Sequence, residues 1–193
     1  FTVCALYTDS YKHVVDQLEK DCIKFDYNYN FYNIPTKEYS SVIKEKVGYW
    51  KKAINEFGSV FWLDADARIL QPIPEHWADG ITIGRYMPVE QDHARKYYIK
   101  TPSGDKLNFC AKYFLGGFGF INETMLPIVE TVLEYIPMSY DDEATFNYIM
   151  QEFPELMPEY REIPYYMPWN RKSYDAICAM DEPYLIKGWT EDP

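Results

Sequence analysis

The spacing of apolar residues changes period along the chain, and the changes mark out its elements. Thr2 to Thr8 is an apolar, β-prone run that predicts a first strand. Ser10 follows as a helix N-cap, and after it Tyr11, Val14, Val15, Leu18 and Cys22 fall at helical spacing. Phe25 to Phe31 then alternates, with Tyr27, Tyr29 and Phe31 on one face and Asn28 and Asn30 on the other, which predicts a second strand closed by Pro35. The next helix has the clearest pattern. Ile43, Val47, Trp50, Ile54 and Phe57 form one stripe, Lys44, Lys51 and Lys52 point elsewhere, and Gly58 stands in the C′ position. Val60-Phe61-Trp62-Leu63 is continuously apolar, as a central strand buried on both faces would be. The order βαβαβ predicts a layered α/β fold, with right-handed crossovers and the strand carboxyl ends on one edge. Ligands of such open sheets bind outside those ends.

The second half is less regular. Ile81 to Tyr86 predicts a short strand, and residues 87–108 read as a polar loop with a Pro-Ser-Gly-Asp turn at 102–105. Ala111 to Ile121 is aromatic and glycine-rich. Met125, Val129, Val132 and Ile136 form another helical stripe, with Pro127 tolerable near its first turn. Asp141 is placed to cap a further helix that carries Phe146, Ile149 and Met150. From Pro154 onward, where Pro and Tyr are frequent, only short strands are predicted. No repeat, low-complexity tract or Gly/Ser linker divides the chain, and its 193 residues fit a single domain.

Charge and composition narrow the function. Thirty acids against 19 bases give a formal charge of −11, and 18% of residues are aromatic. The acidic balance argues against a nucleic-acid binder, which needs a basic footprint, and against a polybasic membrane-surface protein. No apolar run approaches the roughly 18 residues of a membrane span. The aromatic content excludes a disordered solvating chain. Cys4, Cys22, Cys110 and Cys178 include no Cys-x-x-Cys pair and read as buried free thiols, which suits a reducing, cytoplasmic compartment. The chain opens on Phe1 rather than Met, which reads as trimming or processing.

The sharpest feature is Asp64-Ala65-Asp66, directly after the buried apolar run. On an extended chain residues i and i+2 point the same way, so both carboxylates would converge on one point at the sheet's carboxyl edge. Two acids at one site repel unless a cation sits between them. Few, hard oxygen ligands suit Mg²⁺ or Mn²⁺, with water and substrate phosphate completing the shell. The alternative is an acidic strand end that caps a helix or makes surface ion pairs.

Val60 to Asp66, followed by Ile69 to Pro74, resembles the Asp-x-Asp segment of nucleotide-sugar glycosyltransferases of the GT-A fold. The resemblance implies a mixed, mostly parallel central sheet flanked by helices, with a Rossmann-like nucleotide- and metal-binding half over residues 1–86 and an acceptor half over 87–193. It implies a nucleoside-diphosphate sugar as donor, UDP-linked in preference to GDP-linked, and a glycan or other hydroxyl acceptor. Asp64 and Asp66 become the metal ligands, with Asp64 also touching the nucleotide. Lys46, on the helix before that segment, becomes a nucleotide contact, with Lys44 second to it; the alternative is two solvated helix lysines. Tyr7, Thr8 and Asp9 correspond to the family's nucleotide-binding edge. Gly116 and Gly117, within Phe114 to Asn122, resemble its glycine-containing strand beside the donor sugar, although a tight bend would also use them. Asp141-Asp142-Glu143 is similar to its acidic cluster, which makes Asp142 and Glu143 the catalytic candidates and Asp141 the cap. Acids in a first turn also serve the helix dipole unaided. Many members carry a late His as a further metal ligand. Lys187 stands where that His is expected and would neutralise diphosphate instead.

The implied chemistry is displacement of a nucleoside diphosphate from an anomeric carbon by an acceptor hydroxyl, with a slight preference for the retaining course. The loop-borne aromatics Trp77, Tyr86, Tyr97, Tyr98, Tyr165, Tyr166 and Trp169 could stack on sugars, or they could simply pack in the core. A haloacid-dehalogenase-type phosphatase also has an Asp-x-Asp, but near its start and without an Arg68-Ile69 equivalent. A non-catalytic carbohydrate-binding domain, with structural acids, is the alternative from another class.

Overall fold

The protein is described by a computed structural model over residues 1–36, 38–87, 95–100, 103–111, 119–136, 142–166, 171–180 and 184–187. In chain order the elements are β1 (Thr2–Thr8), α1 (Lys12–Lys24), β2 (Asn28–Ile34), α2 (Tyr39–Phe57), β3 (Val60–Trp62), β4 (Ala67–Ile69), β5 (Ile81–Met87) and the strands β6 (Arg95–Lys100) and β7 (Lys106–Ala111). There follow β8 (Gly119–Ile121), α3 (Leu126–Tyr135), α4 (Asp142–Glu152), β9 (Tyr160–Tyr166), α5 (Arg171–Cys178) and β10 (Leu185–Lys187). The first sheet has the order β2-β1-β3-β8, with β2, β1 and β3 parallel and β8 antiparallel. A second, mixed sheet runs β4-β10-β9-β5, and β6 and β7 form an antiparallel hairpin. This is the mixed α/β layering that the sequence predicts. Among the described residues no helix is long and apolar enough to cross a membrane.

The first sheet is buried on both faces, and strand alternation assigns each residue to a side. Cys4, Leu6, Val60 and Trp62 pack with Val47, Trp50 and Ile54 of α2 and with α3 and α4. Val3, Ala5, Phe61 and Leu63 pack on the other side with Leu18 and Cys22 of α1 and with Ile69, Ile163 and Leu185 of the second sheet. Only near-continuous apolar strands can satisfy two such layers. The α2 stripe is buried as its spacing requires, and the Gly58 N–H closes the helix on the Ile54 carbonyl at φ +73°. Pro127 sits in the first turn of α3, where no intrahelical donor is lost.

Several expectations are corrected. Ser10 is not the cap of α1. Residues Asp9–Tyr11 form a 3-10 turn, the helix begins at Lys12, and the Ser10 hydroxyl bonds that of Thr8 at 2.9 Å. The second strand is Asn28–Ile34 rather than 25–31. Asp26 turns the chain at φ 57°, and the parallel register then pairs Thr2 to Thr8 with Asn28 to Ile34. Its most buried residues are accordingly Tyr32 and Ile34, not Tyr27, Tyr29 and Phe31. Residues 95–111, expected within or beside a loop, hold the β6–β7 hairpin around the anticipated turn. Ile99 is the buried side chain among those described there. Helix α5 lies where only short strands were expected. Cys4 and Cys22 are buried free thiols, but Cys178 is exposed. Trp77 and Tyr166 are core residues rather than exposed sugar platforms.

The two sheets meet at Gly119. Its φ is +147°, and a Cβ there would stand 1.7 Å from the Thr82 carbonyl oxygen of β5. The Thr82 hydroxyl accepts the Phe120 N–H at 2.7 Å, so the join is hydrogen-bonded as well as tight. Gly48, on the exposed face of α2, would meet nothing within 4 Å. Gly119→Ala is therefore expected to cost about 3 kcal/mol or more. Gly48→Ala should stabilise by about 0.5–1 kcal/mol, because a helix interior favours Ala. Denaturant unfolding of both variants checks the pair.

Candidate active site

Three segments far apart in sequence meet at the carboxyl edge of β3. Val47 and Trp50, both buried, seat α2 on the sheet and aim the neighbouring Lys46 at the end of β3. Lys46 Nζ lies 2.8 Å from Asp64 Oδ1 and 2.9 Å from Asp142 Oδ2, the latter at the first residue of α4. Lys46 and Asp142 are deeply buried, with side chains 14% and 7% exposed, whereas Asp64 is open at 37%. Two carboxylates thus share one ammonium.

The electrostatics follow from that ratio. Burial alone would push the Lys46 ammonium down, but Asp142 and Asp64 outweigh it and hold it above the ordinary lysine value. Burial pushes Asp142 up, Lys46 pulls it partly back, and the Asp64 charge adds to a net rise. Both groups bind their protons more tightly in the folded state. Their contribution to stability is complete below the unfolded values and is lost as pH rises through the folded ones.

The Asp64–Asp66 segment is held at both ends. Leu63 N–H extends the β1–β3 pairing to the Cys4 carbonyl at 2.9 Å, and Ala67 N–H closes a turn on the Asp64 carbonyl at 2.9 Å. Residues 64–67 are thus a turn and not an extended chain, so the i, i+2 argument does not set the two carboxylate directions. Asp66 is half-buried inside that turn. Beyond it, buried Asp21 of α1 accepts from Arg68 Nε at 2.6 Å, Arg68 Nη2 at 2.9 Å and the Ile69 N–H at 3.0 Å. This clamp fixes β4 against α1. On the other flank, the β10 register sets Lys187 opposite Ala67, one residue past Asp66.

Tyr7, Thr8 and Asp9 lie at the carboxyl end of β1, half-buried, buried and exposed in turn. Asn33, at the same end of β2, donates from Nδ2 to Asp9 Oδ1 at 3.0 Å. Glu143 is half-buried, and its backbone carbonyl accepts from Asn147 Nδ2 at 2.8 Å. Gly116, Gly117 and Asp141 lie outside the described residues. Lys44, the second lysine considered, is half-buried on α2. Sequence reasoning missed Asp21, Arg68 and Asn33. The strand-edge rule would have found Asn33 had β2 been given its true end. Among the described residues no three His, Cys, Asp or Glu side chains gather as a metal cage.

No protein-family model matches the chain, and no curated protein matches it by sequence. Among solved structures, a glycosyltransferase involved in the glycosylation of the major capsid of PBCV-1 is similar with a TM-score of 0.58. The likeness covers 96% of this chain and 91% of that one, at 13% identity. A197 from STIV is similar with a TM-score of 0.43, at 12% identity over 84% of this chain and 81% of that one. The first likeness defines the fold class: a glycosyltransferase-like α/β fold, with a mostly parallel sheet flanked by helices.

Removing the shared cation should expose the cost of the cluster. Lys46→Met is expected to lose about 3–5 kcal/mol near neutral pH, because Asp142 stays buried without a partner. Asp142 then titrates higher still, so unfolding at about pH 5 should show a smaller loss than at about pH 7. A loss independent of pH would contradict this assignment.

Proposed function

We propose that the protein is a divalent-metal-dependent glycosyltransferase that moves a sugar from a nucleoside-diphosphate sugar to an acceptor hydroxyl. The observation that carries the reading is the meeting of Lys46, Asp64 and Asp142 at the carboxyl edge of β3, where open α/β sheets bind ligands. The likeness in fold to a solved glycosyltransferase supports it.

The donor set fits a substrate-bridging cation better than an all-protein cage. Asp64 and Asp66 offer hard oxygens, few enough to leave positions for water and substrate phosphate. Mn²⁺ or Mg²⁺ on those two residues would supply Lewis-acid stabilisation of the departing diphosphate. The chain's own groups do the rest of the positioning. Lys46 holds Asp64 in place and offsets part of the burial penalty on the Asp142 carboxylate. Lys187, beside the Asp-x-Asp turn in the β10 register, contributes positive charge toward the diphosphate. Tyr7, Thr8, Asp9 and Asn33 form the nucleoside edge, with a UDP-linked donor preferred over a GDP-linked one. Asp142, the more buried of the two candidate acids, orients donor or acceptor hydroxyls, and Glu143 is the alternative carboxylate. Gly116 and Gly117 remain part of the proposed donor-sugar wall.

Binding tests the reading directly. UDP together with Mn²⁺ should raise the melting temperature by mass action, and Asp64→Ala and Asp66→Ala should each abolish the rise. The absence of a shift with any nucleoside diphosphate would refute the proposal.

A further inference from the structure

The β6–β7 hairpin carries a charge opposite to that of the chain. It holds Arg95, Lys96, Lys100 and Lys106 against one acid, Asp105, in a protein of formal charge −11. Its register sets Tyr98 opposite Asn108 and Lys100 opposite Lys106. Residues two apart on a strand share a face, so these four side chains lie on one surface. All four are exposed, Tyr98 to 40%. Ile99, facing the other way, is buried in the same apolar cluster as Phe146 and Ile149 of α4. One face of the hairpin is therefore fixed to the helix that begins at Asp142, and the other is turned outward. The hairpin and the candidate site thus share α4, whose first residue is Asp142.

The outward face has a specific chemistry. Lys106 Nζ stands over one face of the Tyr98 ring, 4.2 Å from its centroid, which leaves the opposite face as the one a sugar would stack on. A tyrosine ring suits the apolar face of a sugar, an asparagine amide pairs with hydroxyls, and two ammonium groups meet an acidic substituent. A nucleic-acid polymer or anionic membrane would need a broad basic field, which the acidic remainder of the chain opposes.

We infer that the outward face of the β6–β7 hairpin, at Tyr98, Lys100, Lys106 and Asn108, binds an anionic segment of the acceptor glycan. The inference rests on the transferase reading of the neighbouring site and gives its acceptor a charge class. Polygalacturonate and its methyl-esterified form are suitable probes, since they share a backbone and differ in charge. The full chain should bind the acidic polymer at least about tenfold more tightly than the ester, and exposed charges of this kind should lose that preference in about 1 M salt. The double variant Lys100→Glu/Lys106→Glu should lose the preference with its melting temperature and its Mn²⁺–UDP shift intact. Tyr98→Ala should weaken binding to both polymers. Equal binding of the two polymers, an unaffected double variant, or equal affinity for a single-stranded oligonucleotide or anionic vesicles would overturn the hairpin's role. Absence of the Mn²⁺–UDP shift in the unmodified protein overturns the transferase reading, and the acceptor assignment with it.

Discussion

The ammonium of Lys46, buried between Asp64 and Asp142, is the interaction on which the candidate site depends. It joins α2, the end of β3 and the start of α4 at one point. The Lys46 and Asp142 charges would each be expensive to bury alone, and their pairing offsets that cost. The cluster therefore specifies where α4 begins relative to the sheet.

The scaffold around this point is built to limit movement. β3 is buried on both faces, so its carboxyl end cannot shift without disturbing two apolar layers. The turn after it is tied to β1 through Leu63 and to α1 through the Asp21–Arg68 clamp. The close approach of Gly119 to Thr82 locks the first sheet to the second, which supplies Lys187 next to the same turn. A site assembled from rigid strand ends and a helix start holds its geometry better than one carried by loops alone.

Much of the frame was legible because its signals are local. The α2 stripe with Gly58, the α3 stripe with Pro127, and the four buried residues from Val60 all appear where periodicity sets them. Lys46 and Asp142 were legible only by resemblance, since nothing in spacing says that residues 46, 64 and 142 meet. The errors are equally physical. Asp26 at positive φ delays β2 by three residues, and that hid Asn33. Ala67 N–H bonding back to Asp64 makes a turn where an extended chain was assumed. Lysines and Asn108, interspersed among the hairpin's Tyr98, Ile99, Leu107 and Phe109, give it the polarity of a loop. Asp21 and Arg68 attract no notice in sequence because their pairing is tertiary.

The central claim is that the Lys46–Asp64–Asp142 edge handles a metal-bridged nucleotide sugar. It is tested most directly by measuring release of free nucleoside diphosphate across a set of nucleotide sugars, with Mn²⁺ and with EDTA. The account predicts slow release from one donor class, abolished by EDTA and by Asp64→Ala. Release from no donor, or release indifferent to chelator and to the loss of Asp64, would contradict it.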